Sequence, residues 1–363
     1  MKKIKLGDVC TINAATYSDG DSCDFVNYLD TGNITSNHIE HIQHIDITRE
    51  KLPSRARRKV KFNSIIYSTV RPNQRHYGII KSQPENFLVS TGFAVIDVDP
   101  QKIDANFLYY QLSRDEVVAN LQSIADQSTT AYPSIKPSDL SNLEFYVPSL
   151  DTQNKIGNFL YALDDKIALN KKINATLEDM AKTLYMHEFF RKPSNGKLGD
   201  IIIENSKSII PVGAAKSTSG KFPFFTSGDS VLSWTGLLVD GRNIFMNTGG
   251  NAGIKFYVGE AAYSTDTWCI TAKNLADYLY LLLKVIESEL DKKFFQGTGL
   301  KHLQKPLLKE RAIYIPTETE LERFNSIVQP CFTKISANAR ESRRLAELRD
   351  WLLPILMNGQ IKF

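Results

Sequence analysis

No Cys-x-x-Cys pair, no Gly-Lys-Ser or Gly-Lys-Thr and no apolar run of membrane length occur in this 363-residue sequence. The four cysteines, Cys10, Cys23, Cys269 and Cys331, stand far apart. That spacing signals neither a zinc site nor a disulfide framework and fits a reduced, cytoplasmic compartment. The strongest apolar cluster, YLYLLLKVI at 278 to 286, contains a lysine and falls far short of the roughly 20 residues a membrane helix needs. MKKIKLGD leads into no apolar run, so a secretory leader is not expected. With 42% apolar and 23% charged residues the chain reads as globular, and its length predicts two domains. The net charge of +4 permits an anionic partner without requiring one.

Acidic residues are missing altogether from 51 to 84, where Lys51, Arg55, Arg57, Arg58, Lys59, Lys61, Arg71, Arg75 and Lys81 stand uncompensated. The basicity of the chain is therefore local. Inside that stretch YSTVRPNQRHYG, 67 to 78, interrupts two strand-like runs, IIY before it and GII after it. A solvated turn accounts for Pro72 and Asn73, which favour turns for steric reasons. It leaves two guanidiniums and two amides on one short loop unexplained.

The chain repeats itself. KLGD at 5 to 8 returns at 197 to 200, an offset of 192, and QSTTAYPSIKPSDLSNLEFYVP (127 to 148) parallels QGTGLKHLQKPLLKERAIYIP (296 to 316) at an offset of 169. The first copy thus carries 23 more residues between the matched points. In each copy short strand-like runs alternate with Gly, Asn and Ser-rich turns, and a helical stretch follows: NFLYYQLSRDEVVANL in one, ADYLYLLLKVIESELDKKF in the other. Each copy is expected to be a mixed α/β globule.

Beyond Pro148 and Pro316 glycine almost vanishes and the chain reads as two long helices. A 3,4 spacing runs through the first as Ile156, Leu160, Leu163, Ile167, Asn170, Asn174, Leu177, Ala181 and Leu184. At 168 residues further on stand Phe324, Val328, Cys331, Ile335, Asn338, Ser342, Leu345, Arg349 and Leu352. Matching seams predict helices packed on each other as an antiparallel coiled coil; the alternative is two amphipathic helices, each docked on its own globule. The aligned Asn170 and Asn338 favour pairing, because a buried seam asparagine costs stability but fixes register.

VPSLDTQNKIGNFLYALDDKI, its weaker echo IPTETELERFNSIVQP, the repeated KLGD openings and the terminal LMNGQIKF resemble the specificity subunit of a type I restriction-modification enzyme. The resemblance covers essentially the whole chain, with the second helix motif lacking a match to Gln153. It implies an α+β protein of two target-recognition domains in tandem, separated by long helices. The corresponding divisions are 1–148 and 193–316 for the domains, 149–192 for the first helix, and 317–363 for the second helix and tail. It also implies a non-catalytic reader of double-stranded DNA that assembles with methyltransferase subunits, which carry the methyl donor and methylate adenine, and with restriction subunits that hydrolyse ATP. The residues agree: there is no Pro-Pro for a motif that clamps a flipped adenine, and TGGNAG at 248 to 253 lacks the Gly-Lys-Ser/Thr of a phosphate cradle.

Arginine pairs bidentately with guanine, and Asn or Gln with adenine, in the major groove. The loop residues Thr69, Arg71, Asn73, Gln74, Arg75 and His76 are therefore the candidate base readers, with Arg57 and Arg58 tracking phosphate. Asn247, Thr248, Asn251 and Lys255 are the second-copy equivalents. In the later matched loops, Thr129, Thr130, Tyr132 and Lys136 answer to Thr298, Lys301, His302 and Lys305; a plain structural connection is the alternative there. HIEHIQH reads as a strand, which sends His38 and His44 one way and His41 the other, against a shared metal ion. Asp97 with Asp99 and Asp164 with Asp165 have no base or nucleophile nearby in sequence and read as solvated carboxylates. The competing functional class is a protein-protein adaptor with paired globules and an incidental basic stretch.

Overall fold

The computed structural model describes residues 1–18, 20–21, 23–127 and 132–360. The chain divides into two compact α+β units, Met1–Lys166 with Arg344–Phe363, and Ile167–Arg343.

In the first unit the central sheet runs Cys10–Ile12, Phe93–Val98, Ile65–Ser68, Tyr77–Ile79, with every pairing antiparallel. Its middle strands are nearly continuous apolar runs because both faces are covered. The alternation of side chains sorts them: Ile65, Tyr67, Ala94 and Ile96 pack against helix Ala105–Ser113 and the start of the first long helix. Ile66, Phe93 and Val95 face the other way, onto Leu29 and Val89 of a second sheet. That sheet runs Gln43–Asp46, Phe25–Leu29, Phe87–Ser90, Ala56–Lys59. HIEHIQH is not one strand: His38–Ile39 pairs with Ile34–Thr35 in a small hairpin, and Gln43–Asp46 is separate. Among the described residues no group of three or more His, Cys, Asp or Glu gathers to hold a metal.

The second unit repeats the plan. Ile203–Glu204, Thr267–Thr271, Arg242–Asn247 and Ile254–Val258 form its central sheet. Ile244, Met246, Trp268 and Ile270 pack toward helix Ala276–Val285, while Phe245 and Cys269 face Phe225 of the smaller sheet. The repeated KLGD has a structural reason. Leu6 and Leu198 are fully buried, and their N–H groups donate to Leu143 O and Arg311 O at 2.9 Å in both units. Gly7 and Gly199 lie where a Cβ would sit 3.3 Å from Ser141 and 3.1 Å from Lys309, at the ends of the short helices Pro137–Ser141 and Lys305–Lys309.

The long helices are Leu150–Glu188 and Glu318–Met357. Every seam position from Ile156 to Leu184 and from Phe324 to Leu352 is buried or half-buried. Within the second unit the helices run antiparallel, as Asn170 reaches Glu341 and Ser342 while Asn338 donates to Asn174 Oδ1 at 2.8 Å. The Asn170–Ser342 contact and the Asn338–Asn174 contact are the same pair of positions exchanged between helices, 168 residues apart. In the first unit Arg349 bonds Asp164, which also accepts from Tyr110 OH at 2.6 Å. Asp164 is thus a paired carboxylate in a network and not a solvated one. The equivalent positions, Phe332 and Ala181, are apolar and buried in the second unit. The seams also serve the globules: Ile156 and Leu160 join Phe107 and Leu108, and Phe324 and Val328 join Tyr278 and Leu281.

Candidate functional site

The loop after strand Ile65–Ser68 is stitched to the segment that leads into helix Pro137–Ser141. Ile135 N–H donates to Thr69 O at 2.8 Å, Val70 bridges Ser134, and Arg71 N–H donates to Pro133 O at 3.0 Å. The second unit has the same stitching. Leu303 N–H donates to Thr248 O at 3.0 Å, Gly249 bridges His302, and Gly250 N–H donates to Lys301 O at 2.9 Å. Behind the loop Asn73 N–H donates to Gln122 Oε1 at 3.1 Å, on helix Asp115–Asp126. Ala252 N–H does the same to Asp291 Oδ1 at 2.9 Å, on helix Glu287–Lys293. Two regions far apart in sequence therefore form one site in each unit, on one shared frame.

What the frame displays differs. Arg71 holds φ 48° and ψ 67°, the left-handed region, and its counterpart Gly250 has φ 79°. That backbone is free to glycine but costs other residues roughly 1–2 kcal/mol. The Arg71 guanidinium lies over the ring of Tyr132, 5.5 Å from its centroid. Arg71, Asn73, Gln74, Tyr132 and Lys136 are exposed. Arg75 is also left-handed, at φ 57°, and forms an ion pair with Asp115 at 2.7 Å; the hydrogen bond to that carboxylate raises its pKa.

Other predicted residues hold the frame together. Thr69 Oγ1 donates to Gly92 O at 2.9 Å, and His76 Nδ1 bonds Ile34 O at 2.6 Å. The Ile34–Ile39 hairpin braces the loop further, with Ser36 N–H donating to Arg75 O and Asn37 N–H to Tyr77 O, both at 2.8 Å. It fits because Gly78 has no side chain: a Cβ there would lie 2.7 Å from Ile34 Cδ1. Gly78 pairs with Ile66 as Lys255 pairs with Phe245, so Lys255 occupies the matching position. Its ammonium donates to Thr226 O at 2.7 Å and to Gly228 O, and burial lowers its pKa. Lys255 does the bracing that the hairpin does in the first unit. Arg57 and Arg58 lie half-buried on the edge strand Ala56–Lys59, where Arg58 Nη1 reaches Thr16 Oγ1 at 3.5 Å.

In the second unit Asn247 Nδ2 donates to Asn251 O at 3.2 Å and Thr248 Oγ1 to Asp266 O at 2.8 Å. Lys301 pairs with Asp291 at 3.4 Å, whereas Asn251, Thr298 and His302 are exposed. Lys305 is half-buried over the Trp268 ring, 4.7 Å from its centroid. The sequence match of these later loops was one residue out of step. The stitching pairs Ile135 with Leu303, so Tyr132 answers to Leu300 and Lys136 to Gln304. The repeated Lys-Pro caused the slip, since proline takes the first helical position in one short helix and the second in the other. Thr129 and Thr130 lie outside the described residues. Sequence reading missed Gln122, Asp291, Asp115 and the hairpin; the extra length of the first copy was the signal that pointed to the last.

The two units thus share one loop frame and differ in the side chains that it displays. The chain matches the family described as type I restriction modification DNA specificity domain over residues 1–179 and again over 194–344, and it belongs to that family. It is 30% identical over 223 residues to the type I restriction enzyme HindI specificity subunit of Haemophilus influenzae, covering 61% of this chain and 48% of that one. It is 25% identical over 304 residues to the MjaIX specificity subunit of Methanocaldococcus jannaschii, covering 71% and 69%. The chain thus spans about half the length of the first relative. In fold it is similar to the type I restriction-modification S subunit from M. genitalium, with a TM-score of 0.64 at 16% identity over 98% of this chain and 96% of that one.

Proposed function

We propose that this chain is the DNA-reading subunit of a type I restriction-modification enzyme, in which each unit reads one part of a split, asymmetric duplex site. The long helices carry methyltransferase subunits, and restriction subunits join the larger assembly. The chain takes no cofactor of its own: the methyl donor and ATP belong to those partners, adenine is the methylated base, and the assembly works in the cytoplasm. The observation that carries this reading is the stitched loop frame found in both units with different side chains on it. Support for two copies of one partner comes from the helices, where Phe159 and Ile327, and Met180 and Leu348, are exposed apolar pairs 168 residues apart.

Titration of duplex DNA by the chain assembled with its methyltransferase subunits, over a range of salt, tests the reading. Affinity should fall linearly on a log-log plot, by about 0.9 per phosphate contact. Binding that ignores salt would point instead to a protein adaptor.

A further inference from the structure

We propose that Arg71 and Tyr132 form a single specificity determinant, a guanine reader made of a guanidinium held over an aromatic ring, and that its counterpart in the second unit, Gly250 with Leu300, is built without it. The proposal rests on the DNA-reading function above and names which residues set one base of one half-site.

Three observations carry it. Arg71 occupies a left-handed backbone position that the matching Gly250 occupies without strain, so the arginine is kept against its backbone preference. Its guanidinium lies over the Tyr132 ring in a cation–π contact, 5.5 Å from the centroid. A ring at this distance attracts the guanidinium through its negative face and restricts where the side chain can go, while Arg71 itself stays exposed and its fork is of the kind that pairs bidentately with guanine. The stitching also sets Tyr132 and Leu300 at the same place on the frame, and each is 64% exposed. One frame therefore presents a large side chain at this corner in both units but a cation in only one. Tyr132 acts as a positioning residue, through the ring that restricts Arg71. Arg75, the other left-handed arginine of the loop, is already held by Asp115 and is not the reader at this corner.

The test is selection of bound duplexes from a randomised pool by the chain assembled with its methyltransferase subunits. The unaltered assembly should yield two specified blocks; if it yields none, the DNA-reading function itself fails. Arg71→Gly relieves the backbone and should unfold no earlier than the unaltered chain, yet lose about ten- to a hundredfold preference for guanine at one position of one block. Tyr132→Phe should keep that preference and Tyr132→Leu should reduce it, with the other block unchanged. Nothing lies within 4 Å of a Cβ placed on Gly250, so Gly250→Arg with Leu300→Tyr should add a guanine preference to the second block. Two blocks that stay unchanged in Arg71→Gly would overturn the proposal, as would Tyr132→Phe behaving like Tyr132→Leu.

Discussion

Lys255 and Arg75 are both cations in the expected reading loops, and the structure gives both internal partners. Lys255 caps the carbonyls of Thr226 and Gly228 in the space that the hairpin fills beside Gly78. Lys255→Met should therefore destabilise the second unit by about 1–3 kcal/mol, as unpaired carbonyls do, and denaturant unfolding checks it. An unchanged stability combined with lost duplex binding would return Lys255 to the readers. Asp277 gives a pH signature. It is fully buried, bonds Arg242, and leaves Oδ2 without a partner. Burial pushes its pKa up to about 6 from 3.8 in spite of the arginine. The folded chain then binds this proton more tightly than the unfolded chain, so stability contributed here is full below pH 4. It falls by about 3 kcal/mol as pH rises through 6. Asp277→Asn should flatten that segment of the stability profile, and an unchanged slope would show that the carboxylate titrates normally.

At the scale of elements, the first long helix docks through Gly157. A Cβ there would lie 2.4 Å from Asp104 Oδ1 and 2.6 Å from Phe107 N, in the cap of helix Ala105–Ser113. Gly157→Ala should cost about 1–3 kcal/mol in denaturant unfolding, and a neutral result would mean the helices have room to part. The central polar layer behaves oppositely. Asn170 and Asn338 are each 1% exposed, and Asn170 Oδ1 has no partner. Changing both to Leu should keep or raise thermal stability while loosening helix register; a clear loss of stability would make the layer a stabilising network. This seam was legible in the sequence because helical spacing repeats every few residues and the two copies match at 168. The mixed globules were legible from their turn-bounded runs. The loop frame was not, since its bonds join Thr69 to Ile135 and Asn73 to Gln122, and no local pattern encodes such pairings. The hairpin brace and the internal role of Lys255 were hidden for the same reason.

At the scale of the whole molecule, the proposed reading function predicts that the length of the long helices sets the unread gap between the two half-sites. The seam from Ile156 to Leu184 covers about 43 Å at about 1.5 Å per residue, comparable to the roughly 34–36 Å turn that separates successive major grooves. The compact units change over after Lys166 and after Arg343. A heptad inserted between Ala168 and Leu169, with another between Arg343 and Arg344, leaves the Asp164–Arg349 and Asn170–Ser342 contacts within their own units. It should lengthen the unread gap by about 10.5 Å, or roughly three base pairs, with both half-sites unchanged. A folded, active variant with the original gap would show that something other than the helices sets the spacing.

The most direct measurement is the set of adenines methylated genome-wide in a host that carries the complete system, compared between the unaltered chain and a chain with Arg71 changed to Ala. The account predicts one asymmetric two-part sequence with a fixed unread gap, and in the variant a loss of about 1–3 kcal/mol of discrimination at one position, which relaxes one part only. A single uninterrupted sequence, or both parts relaxing together, would contradict it.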